Sequence, residues 1–355
     1  RLQQKERAAH AALLDAYAQF MAGRYLRSRK SAELVLARED ALRGAAEHPL
    51  AHAVALRTVA HLVAAESAHA LLDKTLRDQH LAQAHEEAAQ AGHAERQVLS
   101  EGLSLRAARW LLDDRDAQAS LDQLAKLPGA VSRRTVAMRI QLKAARLAGQ
   151  TARALETALL LAKHRAFSPM AAQSLVRSLV MELIARTHDE RSLEKLWLGL
   201  PPAQKALPEV VAQAATRWLQ LGGDPVRARA WLLPVWEAML AGNTGRTLMD
   251  QQKLVQVLEM SMRDAPSPDA RHWLARIEAA QQLRPNDAYL QYLAGMVYLR
   301  HQLWGKAQHL LGQAVKGLPD ATLQRRAWSS LAELAEQRDD PAAALQAWKQ
   351  AARLG

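Results

Sequence analysis

The sequence predicts an all-α protein built by stacking helix–turn–helix repeats into a solenoid, and three observations lead there. Apolar residues recur at i, i+3 and i+4 along almost the whole chain, and no stretch alternates polar and apolar residues for a strand's length. Ala, Leu, Arg, Gln and Glu dominate the composition, and only two Phe occur in 355 residues, a balance that favours helix. A pattern of small and large side chains also returns at a period near 34 residues. Repeats of this kind bury their apolar faces against one another, so length sets the number of repeats more than the number of globular domains.

Residues 288–321, AYLQYLAGMVYLRHQLWGKAQHLLGQAVKGLPDA, set the register. With Ala288 at position 1, Gly295 falls at position 8, Tyr298 at 11, Ala307 at 20, Leu311 at 24, Ala314 at 27 and Pro319 at 32. These residues resemble the tetratricopeptide (TPR) signature, with Gln291 where Trp is usual and Ala294 where Leu is usual. The resemblance implies a TPR-like α-solenoid forming a right-handed superhelix. It also implies that Gly295 and Ala307 are small because two helices touch there.

In chain order, residues 3–38 read as a helical pair around a Gly23-Arg24-Tyr25 turn. Pairs follow at 50–68 with 70–91, where no Gly or Pro marks the turn, and at 95–113 with 116–127, closed by Pro128-Gly129. From Thr135 the register is clear, with Gly149 at position 15 and Ala154 at 20. Ser168-Pro169 starts a long helix to about 186. Pro201, Pro202 and Pro208 interrupt the repeat between 192 and 211. The register resumes from Glu209, with Gly223 at position 15, Ala228 at 20 and Leu232 at 24. Helices 247–263 and 269–283 make a degenerate repeat, and a last repeat starts at Arg325, with Trp328 at position 4 and Trp348 at 24. The weak stretches 241–247 and 264–269 suggest a hinge. We divide the chain into residues 1–240, a region of degenerate repeats, and residues 241–355, the C-terminal TPR repeats.

Several functions are excluded. Without cysteine there is no disulfide framework, thiolate zinc site or Cys nucleophile. No Walker loop, G-x-G-x-x-G after a strand, H-E-x-x-H or G-x-S-x-G occurs, so no catalysis is expected. Paired acids such as Asp113-Asp114 and Asp339-Asp340 read as helix caps. Seven of the thirteen histidines fall in residues 48–93, and His48 and His52, spaced i, i+4, would share one helical face and are a candidate haem or metal contact. No other metal site is expected.

A TPR array works through its concave face, lined by first-helix positions 2, 5, 9, 12 and 13. In the Thr135 repeat these include Arg139, Lys143 and Arg146, and in the Glu209 repeat Arg217. In the Ala288 repeat they include Tyr289, Tyr292, Met296 and Arg300. The expected groove is therefore basic in the middle and aromatic towards the C-terminus, suited to an acidic peptide or an amphiphilic anion. No nucleic-acid motif accompanies the net charge of +11. Residues 1–30 carry seven basic residues against Glu6 and Asp15, a net of +5. This basic start, headed by Arg1, leads us to expect a longer protein with a membrane span upstream and this region on the cytoplasmic side.

Three blocks resemble the HemY-type TPR proteins of proteobacteria, which are distinct from the flavin-dependent oxidase sharing the name. They are AYAQFMAGRYLRSRKSAELVL near the start, LEKLWLGLPPAQKALPEVVAQAATRWLQLGGDPVRARAWLLPVW in the middle and NDAYLQYLAGMVYLRHQLWGKAQHLLGQAV near the end. The resemblance implies two N-terminal transmembrane helices, location at the inner membrane and a role near late haem biosynthesis. It implies protein partners, such as haem-biosynthesis enzymes, or haem itself, and supplies no catalytic residues. Two alternatives remain open: direct haem or porphyrin binding, and a general TPR scaffold for envelope assembly.

Overall fold

The computed structural model describes residues 2–44, 52–242, 248–263 and 267–354. Among these residues there are twenty α-helices and no strand. The chain divides into two compact units, Arg1–Val176 and Arg177–Gly355. The division falls inside α10 (Pro169–Arg186), and the boundary placed at 240/241 from the sequence lies within the second unit.

The first unit is a series of helical hairpins: α1 (Leu2–Met21) with α2 (Tyr25–Gly44), α3 (Ala53–Ala70) with α4 (Lys74–Ala88), α5 (His93–Asp113) with α6 (Ala117–Ala125), and, after short α7 (Gly129–Ser132), α8 (Thr135–Leu147) with α9 (Thr151–Lys163). Alanine makes close packing possible: Ala16, Ala32 and Ala64 are fully buried in one cluster. Where the second helix carries Ser at position 20, its hydroxyl bonds the first helix's backbone. Ser28 donates to the Ala16 carbonyl at 2.7 Å and Ser120 to the Ala108 carbonyl at 2.7 Å.

The second unit contains α11 (Glu190–Gly199), short α12 (Pro202–Lys205), and α13 (Pro208–Gln220) with α14 (Pro225–Leu240). It continues through α15 (Leu248–Ser261) and α16 (Pro268–Leu283) to α17 (Ala288–Arg300) with α18 (Trp304–Gly317) and α19 (Ala321–Gln337) with α20 (Pro341–Arg353). The carboxylates of Asp224, Asp287, Asp320 and Asp340 accept bonds from first-turn amides at four helix starts, supplying partners to otherwise orphaned donors. The TPR contact is met at Gly295, where a Cβ would lie 2.8 Å from Leu311 Cγ.

One turn conformation joins seven of the hairpins. Two residues past the end of the first helix, the chain turns left-handed at Gly23, Leu72, Arg115, Gly149, Gly222, Gln302 and Asp339, with φ between 57 and 90°. The next amide then bonds the carbonyl five residues back, as from Asp73 to Ala68 at 2.9 Å and from Gln150 to Ala145 at 2.9 Å. This is a Schellman closure. It corrects the register of one repeat: the left-handed residue is Gly222 and not Gly223, so α13 counts from Pro208 and its turn is one residue longer. In the last repeat the register from Arg325 holds, because Asp339 takes position 15, although α19 begins one turn earlier.

Candidate functional site

With the turns aligned, first-helix positions 2, 5, 9, 12 and 13 locate two clefts, one in each unit. The second-unit cleft has a volume of about 560 Å³. On α13 it takes Glu209, Ala212, Thr216 and Gln220, positions 2, 5, 9 and 13 from Pro208. On α15 it takes Lys253, Gln256, Met260 and Arg263, spaced i, i+3, i+7 and i+10 and so on one helical face. Arg326, position 2 of α19, completes it.

Four cations therefore surround this cleft. Arg217, one step off the register by the longer turn, donates to the Thr187 carbonyl from Nε at 2.9 Å and Nη2 at 2.5 Å. Its guanidinium is thereby fixed. Arg326 Nη2 donates to Glu259 Oε1 at 2.7 Å, and Arg263 lies 3.8 Å from the same oxygen. Glu259 is fully buried, so it holds both arginines from behind while they face the opening. Lys253 is exposed. The lining acid, Glu209, sits 3.1 Å from Arg177. Ala212, Val257 and Met260 make an apolar floor, and Gln213, Gln220 and Gln256 bring amides.

The first-unit cleft, about 670 Å³, lies between α5 and α8. Arg139 and Lys143 line it as the register predicts, with Val136 and Leu147. Arg139 donates to the Ala166 carbonyl at 2.7 Å and its guanidinium stands 5.7 Å from the Phe167 ring centroid. Arg146 is exposed and is not among the cleft residues.

The aromatic row of α17 is corrected. Tyr289, Tyr292 and Met296 occupy groove positions, yet all are buried, Tyr292 completely. Helices α15 and α19 close over that face: the Tyr292 hydroxyl donates to Glu259 Oε2 at 2.7 Å, and Ser330 Oγ contacts Met296 Sδ at 3.6 Å. Burial and the neighbouring Glu259 carboxylate push the Tyr292 phenol's pKa up. These side chains are core, and only Arg300 of that row is exposed.

Of the histidine pair, only His52 is among the described residues. His52 precedes α3 as its N-cap, with φ 61°, and so is not on a helix; His48 lies outside the described residues. A different pair is built: His61 and His80, both buried, have Nδ1 atoms 3.0 Å apart. Among the described residues no group of three or more His, Cys, Asp or Glu is placed to hold a metal ion, and no helix is long and apolar enough to cross a membrane.

The residues that sequence reasoning missed are Lys253, Gln256, Met260, Arg263 and Arg326. Arg326 was recoverable by counting from Arg325, and the α15 residues by their spacing. No clear turn residue, however, anchors α15 in the register.

No family model matches the chain, and no curated protein does. Among solved structures, the chain is similar to the APC/C hetero-tetramer Cut9–Hcn1, with 15% identity over 98% of this chain and 66% of that one, TM-score 0.30. It is similar to the TPR domain of P58(IPK), at 11% identity over 93% and 99%, TM-score 0.27. A third is Naa15/Naa10 bound to HypK-THB, at 11% identity over 96% and 58%, TM-score 0.30.

Proposed function

We propose that this chain is a non-catalytic protein-interaction scaffold that holds an acidic, extended segment of a partner protein in the α13/α15/α19 cleft. One observation carries this: Arg217, Lys253, Arg263 and Arg326 converge on a cleft with an apolar floor, and all three arginines are held in place, Arg326 and Arg263 by Glu259 and Arg217 by the Thr187 carbonyl. Fixed cations need little reordering on binding, which favours affinity for carboxylates. The amides of Gln213, Gln220 and Gln256 both donate and accept, and so suit the backbone of an extended peptide.

The three sequence blocks support a HemY-type identity, and with it a membrane-anchored protein whose repeats lie at the cytoplasmic face of the inner membrane and recruit enzymes of late haem biosynthesis. Direct haem contact through Tyr289, Tyr292 and Met296 is not retained, since those side chains are packed inside.

Recovery of partners from detergent extracts on the immobilised chain tests the scaffold. We expect Arg217→Glu with Lys253→Glu to remove an acidic partner that the unaltered chain retains, and haem-biosynthesis enzymes to be among the partners. Recovery unchanged by both substitutions would sink the cleft assignment.

A further inference from the structure

The cleft between α5 and α8 differs in kind from that of the second unit. Arg109, Arg115, Arg139 and Lys143 give it four cations, and its lining includes no amide side chain. Its acid, Asp113, already faces His69 at 3.2 Å. Two large apolar side chains stand open in it, Val136 at 59% and Leu147 at 46% exposure.

The missing amides decide what fits. An extended peptide carries backbone N–H and C=O groups that need partners once water leaves, and the side chains of these walls offer one carboxylate, already facing His69, and no amide. An α-helix satisfies its own backbone. Val136 and Leu147 lie eleven residues apart on α8, about 16 Å at helical rise. A partner helix with apolar residues at i, i+4, i+7 and i+11 presents one face over the same distance, and acidic residues flanking that face would meet the four cations.

We infer that the α5/α8 cleft docks an acidic amphipathic helix of a partner protein, a site separate from the one that takes an extended segment in the second unit. The scaffold then holds two partner elements of different conformation, each read by its own cleft.

The test is fluorescence anisotropy on the full chain with a labelled Leu/Glu peptide of about 20 residues, long enough to form a helix across the cleft. Two controls accompany it: a peptide of the same composition interrupted by two central prolines, and a Leu/Lys counterpart. We expect saturable binding of the Leu/Glu helix, about tenfold weaker binding of the proline peptide, and none of the Lys peptide. Val136→Asp with Leu147→Asp changes exposed residues, so helicity by circular dichroism stays as it was, while binding falls about tenfold. Lys253→Glu, in the other cleft, leaves binding within about twofold. Absence of saturable binding, equal binding of the proline peptide, or loss on Lys253→Glu with retention in the Asp pair would each overturn the assignment.

Discussion

The Tyr292 phenol donates a 2.7 Å hydrogen bond to Glu259 Oε2, joining α17 to α15 beneath the second-unit cleft. Tyr292 is wholly buried and Glu259 nearly so, and the other carboxylate oxygen takes Arg326 at 2.7 Å. A buried carboxylate is tolerated only when its lone pairs are filled. Tyr292→Phe keeps the ring and empties one of them. It should cost about 1.5–3 kcal/mol, the range for a hydrogen bond to a charged group, read as a lower urea midpoint with unchanged slope. Arg326→Met should cost more, because it leaves the buried charge without its nearest cation. A smaller loss for Arg326→Met would mean that Arg263, 3.8 Å away, already neutralises the carboxylate.

Gly295 is the tightest point of the α17/α18 hairpin. A Cβ there meets Leu311 Cγ at 2.8 Å, Cδ2 at 2.9 Å and the Leu311 backbone nitrogen at 3.3 Å. Because backbone is among the atoms met, a rotamer change of Leu311 does not clear the space. Gly295→Ala should destabilise by about 1–3 kcal/mol through overpacking, despite alanine's better helix propensity. In a cycle with Leu311→Ala the double variant should be more stable than the sum of the two losses, since the second change removes the two closest contacts, Cγ and Cδ2, and leaves only the backbone nitrogen at 3.3 Å. Strict additivity would place the strain elsewhere.

How far the fold could be read in advance depends on the turn. Gly23 and Gly149 announce their hairpins, and both adopt the left-handed geometry that glycine reaches most readily. The α3/α4 hairpin has the same closure, but its left-handed residue is Leu72, which nothing in the sequence marks. Gly222-Gly223 offers two candidates one residue apart, and choosing the second displaced Arg217 onto a groove position. Side-chain exposure was less legible than register. Tyr289, Tyr292 and Met296 stand at groove positions, but whether such positions open to solvent depends on how closely α15 and α19 approach, and no local pattern encodes that distance. The histidines of residues 48–93 show the same limit: spacing along the chain singles out His48 with His52, and only packing between helices brings His61 to His80.

Leu72 supplies a stabilising substitution on these grounds. It is 85% exposed and held at φ 62°, so its side chain gains little from burial while its backbone is strained. A left-handed non-glycine residue costs roughly 1–2 kcal/mol, and glycine gives back part of that through greater unfolded-state entropy. Leu72→Gly should therefore raise stability by about 0.5–1 kcal/mol, seen as a higher thermal midpoint of the transition to which the first unit contributes. The same change at Gly149, made in reverse as Gly149→Leu, should lower it by a similar amount.

His61 and His80 make the first unit acid-sensitive. Their Nδ1 atoms lie 3.0 Å apart and both rings are buried; one Nδ1 donates and the other accepts, so the rings hold opposite neutral tautomers. Burial, then His80 and Arg57, drives the His61 pKa down to about 4, with Glu87 and Asp40 opposing. Burial also lowers that of His80, where Glu33 and Arg29 act in opposite senses. A histidine whose folded pKa is depressed binds its proton more readily when unfolded. Its stabilising contribution is therefore complete above about 6.5, the unfolded value, and is lost as pH falls from there towards 4. His61 alone accounts for up to about 3 kcal/mol of that loss. Urea unfolding at several pH values between 7.5 and 5 should show the midpoint falling, in a window above the range where ordinary carboxylates titrate. His61→Gln removes the acceptor–donor pair and should be less stable at pH 7.5, yet its midpoint should change less on going to pH 5.5. A variant with the same pH slope as the unaltered chain would show that the acid sensitivity originates outside this pair.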